Sequence, residues 1–109
     1  MAQKYLERLT GLMEEIGIDK NTKLECKHFF NGAACYLNGK IFASLSPVGF
    51  ALKLPERYRD ELIREKGVKL LQYFPKAPIK KEYVVLPERI VTNIEVLRHW
   101  VKIGVDYVA

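Results

Sequence analysis

A chain of 109 residues with 18 Lys and Arg against 13 Asp and Glu, 49% hydrophobic and 28% charged, has the composition of a globular domain and not of a disordered or fibrous one. No apolar run approaches the roughly 20 residues that span a bilayer. The start Met1-Ala2-Gln3-Lys4-Tyr5-Leu6-Glu7-Arg8 lacks a signal peptide's hydrophobic segment, so the expectation is a single cytoplasmic domain over residues 1–109 with no membrane partner. Tyr5, Leu6, Leu9, Leu12, Met13 and Ile16 then recur at helical spacing, with charged residues between them. This predicts an amphipathic first helix stopped at Gly17 and followed by a polar turn at residues 19–22.

From Leu24 to Leu54 the pattern changes to short strands separated by turn dipeptides. Asn31-Gly32 and Asn38-Gly39 are two-residue hairpin signals, because both residue types tolerate positive φ, and Ser46-Pro47-Val48-Gly49 supplies a third reversal. Tight turns would set Phe30 opposite Ala33, His28 opposite Cys35, Cys26 opposite Leu37, Tyr36 opposite Ile41, Ala34 opposite Ala43 and Leu45 opposite Phe50. One sheet face then carries Ala34, Tyr36, Ile41, Ala43, Leu45, Phe50, Leu52 and Leu54, which is the expected core. The reverse face collects Cys26, His28, Phe30, Cys35, Leu37, Phe42, Ser44, Ala51 and Lys53.

Pro55 opens a charged middle helix through Lys66, anchored by Tyr58, Leu62 and Ile63 and ended by Gly67. Val68–Phe74 is read as extended or irregular, residues 75–78 as a proline-bounded connection, and Glu82–Leu86 as a fifth strand. Thr92 and Glu95 have capping-box spacing, flanked by Val91 and Val96 as a hydrophobic staple, so a last helix should bury Leu97, Trp100, Val101 and Val105, with Gly104 permitting close packing on the sheet. The fold class is α+β: a four-strand antiparallel meander plus a fifth strand, with N-terminal, middle and C-terminal helices packed on it. Leu-Pro-Glu-Arg occurs at residues 54–57 and 86–89, a shared way of leaving a strand.

Chemistry-bearing residues are sparse. Cys26, Cys35, His28 and His99 lack zinc-site spacing, and the carboxylates form no differentiated acid and base pair, so the expectation is no catalytic, cofactor-binding or metal-ligating residue. Cys26 and Cys35, diagonal in the expected register, are read as two free, shielded thiols. His28 facing Cys35 is the sharpest catalytic alternative, since an imidazole activates a thiolate, but no orienting acid or oxyanion donor accompanies it.

Two binding surfaces are expected instead. A mixed, partly apolar reverse face offers Cys26, Phe30, Leu37, Phe42 and Ala51 as protein contacts, for an unknown protein partner or a second copy of the chain. Lys76, Lys80 and Lys81, with Tyr73 or Phe74 as stacking groups, are candidate nucleic-acid contacts in a chain of formal net charge +5.

The order of short motifs resembles the TfoX N-terminal domain family. Lys27-His28-Phe29-Phe30-Asn31-Gly32, Tyr36-Leu37-Asn38-Gly39-Lys40-Ile41-Phe42-Ala43, Leu52-Lys53-Leu54, Tyr83-Val84-Val85-Leu86-Pro87-Glu88 and the helix with Leu97, Trp100 and Val101 carry the resemblance from about Leu9 onward. Phe29 stands where the family commonly has methionine, Asn31 replaces the first of two glycines, and Ala33-Ala34 replaces a more glycine-rich continuation. The resemblance implies a non-enzymatic regulatory or protein-interaction domain with no catalytic residues to carry over. An accessory nucleic-acid-binding domain is the alternative.

Overall fold

The computed structural model describes residues 3–18 and 23–109. Helix α1 (Gln3–Ile16) leads into strands β1 (Leu24–Phe29), β2 (Gly32–Leu37), β3 (Lys40–Ser46) and β4 (Gly49–Lys53). Helix α2 (Glu56–Leu62), strands β5 (Lys69–Leu71) and β6 (Lys80–Leu86), and helices α3 (Glu88–Val91) and α4 (Ile94–Val108) complete the chain. The antiparallel sheet has six strands in the order β1-β2-β3-β4-β6-β5, not four plus a fifth. The extra strand comes from Lys69–Leu71 within the segment read as extended or irregular; three residues carry too little alternation to declare a strand. The polar turn expected at residues 19–22 lies outside the described residues.

All four helices contribute to a large core with one sheet face, where Leu9, Met13, Leu62, Val91, Leu97 and Val101 meet Leu45, Phe50, Leu52 and Val84. Gly17 ends α1 at φ +76°, the left-handed conformation glycine adopts without a Cβ penalty. The carbonyls of Glu15 and Ile16 accept hydrogen bonds from the Arg98 guanidinium at 3.3 and 3.0 Å, which ties the C-terminus of α1 to α4. Gly104 lets α4 approach closely: a Cβ there would stand 3.0 Å from the Lys53 carbonyl oxygen and 3.1 Å from Leu52 Cδ1.

Both Leu-Pro-Glu-Arg copies work alike. Leu54 and Leu86 are buried at strand ends, and Pro55 and Pro87, at φ −60° and −70°, cap α2 and α3. The start of α4 differs from the expected capping box. Asn93 is the cap, its side chain accepting from the Val96 amide at 3.4 Å, while Thr92 closes α3 by donating its hydroxyl to the Glu88 carbonyl at 2.7 Å. A short helix immediately upstream moved the boundary by one residue and claimed Thr92.

Register departs from expectation at two places. Asn38-Gly39 makes its hairpin with both residues at positive φ, and Leu45↔Phe50 and Ala43↔Leu52 pair as expected. The first hairpin instead turns at Phe30-Asn31, so that Phe29 pairs with Gly32, His28 with Ala33 and Cys26 with Cys35. Gly32 explains the displacement. It is buried in β2, where a Cβ would run into the Leu45 carbonyl oxygen and stand 2.9 Å from Ser46 Cα, so the glycine serves close strand approach and not the turn.

The second departure is a bulge. Cys35 pairs with Ala43 but Tyr36 with Ile41, leaving Phe42 as an extra residue in β3. One extra residue inverts β1 and β2 relative to the other strands. Cys35, Leu37 and Phe42 therefore face the helices, fully buried, while Ala34, Tyr36 and Ile41, expected in the core, lie on the reverse face. The shifted hairpin also overturns the free thiols: directly opposed, with Cα atoms 4.2 Å apart, Cys26 and Cys35 form a disulfide.

Candidate functional site

The helix-free face of the sheet carries a small second cluster: Ala51, Leu71 and Val85, with Val48, Tyr73 and Tyr83 packed against it. The chain between β5 and β6 lies over this face. The Gln72 side-chain amide holds it in shape by donating to the carbonyls of Pro75 and Ala77 at 3.0 and 2.9 Å, and the Ala77 amide donates to the Phe74 carbonyl at 2.9 Å. Across from it stand the tips of two hairpins. The β3–β4 tip is closed by Ser46, whose hydroxyl accepts from the Val48 amide at 3.3 Å.

Between these parts runs a groove of about 600 Å³. Phe30 and Asn31 line it from one hairpin tip, Pro47 and Val48 from the other, Tyr73, Phe74, Ala77 and Pro78 from the connection, and Lys80 from β6. Phe30 is 82% exposed and Phe74 61% exposed. Isolated exposed apolar residues are ordinary; two phenylalanines at the mouth of one apolar groove make that groove the candidate binding surface. The Phe30 ring meets Phe29 edge-on at 4.5 Å and Tyr73 at 6.3 Å between centroids, so the hairpin tip and the connection touch through aromatic faces.

Phe30 sits at φ +51°. A bulky side chain in the left-handed region costs about 1 kcal/mol, and glycine there costs nothing in sterics. Phe30→Gly should therefore raise stability by about 1 kcal/mol in chemical denaturation, although it deletes an aromatic ring. Phe30 thus combines wide exposure with a backbone conformation unfavourable to a bulky side chain.

The expected sites redistribute around this groove. Of the protein-contact positions, Phe30 is at its mouth and Ala51 lies buried in the cluster on the same face. Leu37 and Phe42 are fully buried beneath the helices, and Cys26 is half-buried at the edge of the helix-side core. Of the basic positions, Lys80 lines the groove and Lys76 belongs to the connection forming its wall. Lys81 is exposed, its carbonyl accepting from the Arg59 guanidinium. None of the three lysines is ion-paired among the described residues.

Sequence reasoning missed Gln72, Pro47 and Val48. A glutamine in a proline-bounded segment signals nothing until its two carbonyl partners are folded around it.

Tyr83 flanks the groove's cluster. Burial pushes its phenol up to about 12, with Tyr73, Glu82 and Tyr36 nearby adding to the effect. The neutral phenol is the form the fold favours. Stability from this group is complete below the unfolded tyrosine value near 10 and is lost as pH rises from about 10 towards about 12. A phenolate absorbance titration should show one tyrosine ionising late, and Tyr83→Phe should remove that step.

His28 faces Ala33, and Cys35 is bonded to Cys26, so the thiolate pairing weighed from the sequence is not assembled. Among the described residues no group of three or more His, Cys, Asp or Glu is placed to hold a metal ion, and no helix is long and apolar enough to cross a membrane. A second cavity, of about 580 Å³, lies near Lys40, Lys53, Glu82 and Tyr107. There Glu82 already accepts from the Tyr107 hydroxyl at 3.3 Å and pairs with Lys53 at 3.8 Å, which leaves the apolar groove as the better candidate.

Compared with known proteins, the chain matches no curated sequence. The TfoX N-terminal domain model matches residues 18–107, strands and closing helices together, and the chain belongs to that family.

Proposed function

We propose that residues 1–109 act as one non-enzymatic, cytoplasmic interaction module that docks a segment of a partner protein in the groove between Phe30 and the residue 72–79 connection. The observation that carries this is the presence of both Phe30 and Phe74, each widely exposed, in the lining of one apolar groove. Lys80 in its lining and Lys76 on the connection, neither ion-paired among the described residues, on a chain of net charge +5, favour one occupant chemistry: a bulky apolar side chain flanked by Asp or Glu.

Selection of random peptides on the folded domain tests this directly. Enriched peptides should combine an apolar anchor with acidic neighbours, and Phe30→Gly and Phe74→Ser should each weaken them about tenfold or more. Raising salt from about 50 to about 500 mM should also weaken them. Neutral peptides indifferent to both substitutions would sink the docking site. Salt-sensitive binding of a single-stranded oligonucleotide, abolished by changing Lys76, Lys80 and Lys81 to alanine, would replace it with the nucleic-acid alternative. Self-association lost in Phe30→Gly would make the occupant a second copy.

A further inference from the structure

We infer that the Cys26–Cys35 pair is a thiol–disulfide exchange site whose state controls the hairpin that presents Phe30. The control of docking rests on the groove reading above; the exchange chemistry does not. β1 is an edge strand of the sheet, and Cys26 on it is half-buried, whereas Cys35 on β2 has no exposed surface. An incoming thiolate therefore reaches the Cys26 sulfur first.

The exchange balances with a dithiol as reductant. Its thiolate attacks Cys26 Sγ, the Cys26–Cys35 bond breaks, and Cys35 leaves as a thiolate that takes up a proton. The reductant's second thiolate then attacks its own sulfur in the mixed disulfide and releases Cys26, so two electrons and two protons pass to the protein while the dithiol becomes a disulfide. Because Cys26 and Cys35 are directly opposed in the ladder, pairing of the two strands brings the sulfurs together again and the bond re-forms. In the cytoplasm such bonds are typically redox-sensing or catalytic and not permanent staples.

The consequence follows from what the bond encloses. Between Cys26 and Cys35 lie only three residue pairs and the turn at Phe30-Asn31, and that turn holds a phenylalanine at φ +51°. A hairpin closed by an unfavourable turn depends on its cross-link more than one closed by Asn-Gly. Its tip reaches the groove through the Phe30–Tyr73 contact, so a looser hairpin also frees that wall. Reduction should therefore disorder the groove on one side while the large core persists.

The test is made on the full chain, oxidised or reduced with dithiothreitol, without denaturant. Iodoacetamide should add two groups to the reduced protein and none to the oxidised one, and oxidised glutathione should reverse the change. Amide hydrogen exchange across residues 24–37 and 73–78 should rise about tenfold or more on reduction, while β4 and α4 hold their protection. Phe30→Gly, whose turn is relaxed, should show a smaller rise.

A bond that opens only as fast as the whole domain unfolds would overturn the inference. So would a reduced chain that unfolds throughout, or one whose hairpin exchange is unchanged. Failure of the docking reading would appear separately, as loss of peptide binding with these exchange responses intact.

Discussion

Phe42→Ala should cost the domain about 3–5 kcal/mol, close to the whole stability of a small protein. Phe42 is among the largest fully buried side chains, and it is the extra residue of the β3 bulge, turned with Ala43 toward the helix-side core. Truncation removes a ring's transfer energy and leaves a cavity that α1 and α4, tied together through Arg98, do not readily collapse into. Chemical denaturation with a two-state fit measures the loss, and it also tests the bulge. If Phe42 stood on the opposite face, as unbroken alternation would place it, the same change would cost well under about 1 kcal/mol and would act on binding. Phe30→Gly is the contrasting case, expected to stabilise.

Gly32→Ala is expected to be nearly as damaging, at about 3 kcal/mol, through overpacking and not through lost contacts. The added methyl meets backbone, the Leu45 carbonyl oxygen and Ser46 Cα, and backbone within a paired ladder does not rotate aside as a side-chain tip does. Gly39→Ala separates this from ordinary turn chemistry. At φ +81° with no neighbouring atom within 4 Å, Gly39 should lose only about 1 kcal/mol from strain. Equal losses at both positions would mean that Gly32 also serves the turn, which would contradict the Phe29↔Gly32 pairing.

Much of the architecture was legible in local chemistry. The period of α1, the stop at Gly17, the Asn38-Gly39 turn, the Ser46–Gly49 reversal and the two Leu-Pro-Glu-Arg exits depend on residues within a few positions of one another, and each was read correctly as to type. The family resemblance likewise rested on ordered short motifs, and it holds over residues 18–107. The groove was legible only in fragments. Phe30 and Lys80 were singled out for two separate surfaces, and Tyr73 and Phe74 for one of them; that they line one site depends on a connection folding over a sheet face, which no spacing encodes.

The sequence by itself determined three of the four helices, most of the strands and two of the three tight turns, because propensity, period and turn conformation are local, whereas α3 was not expected and α2 ends at Leu62, short of Lys66. Only the tertiary structure decided where the first hairpin turns and which face β1 and β2 present, whereas Leu45, Phe50 and Leu52 lie in the core as expected. Asn31-Gly32 has the chemistry of a turn, but Gly32 is required where β2 passes Leu45 and Ser46 on the next strand, so the turn falls on Phe30-Asn31. One bulge residue, Phe42, then inverts the outer hairpin, because side chains alternate with a period of two and a single insertion reverses every position beyond it. Those two non-local events buried Leu37 and Phe42, joined Cys26 to Cys35 and brought Phe30 to the groove.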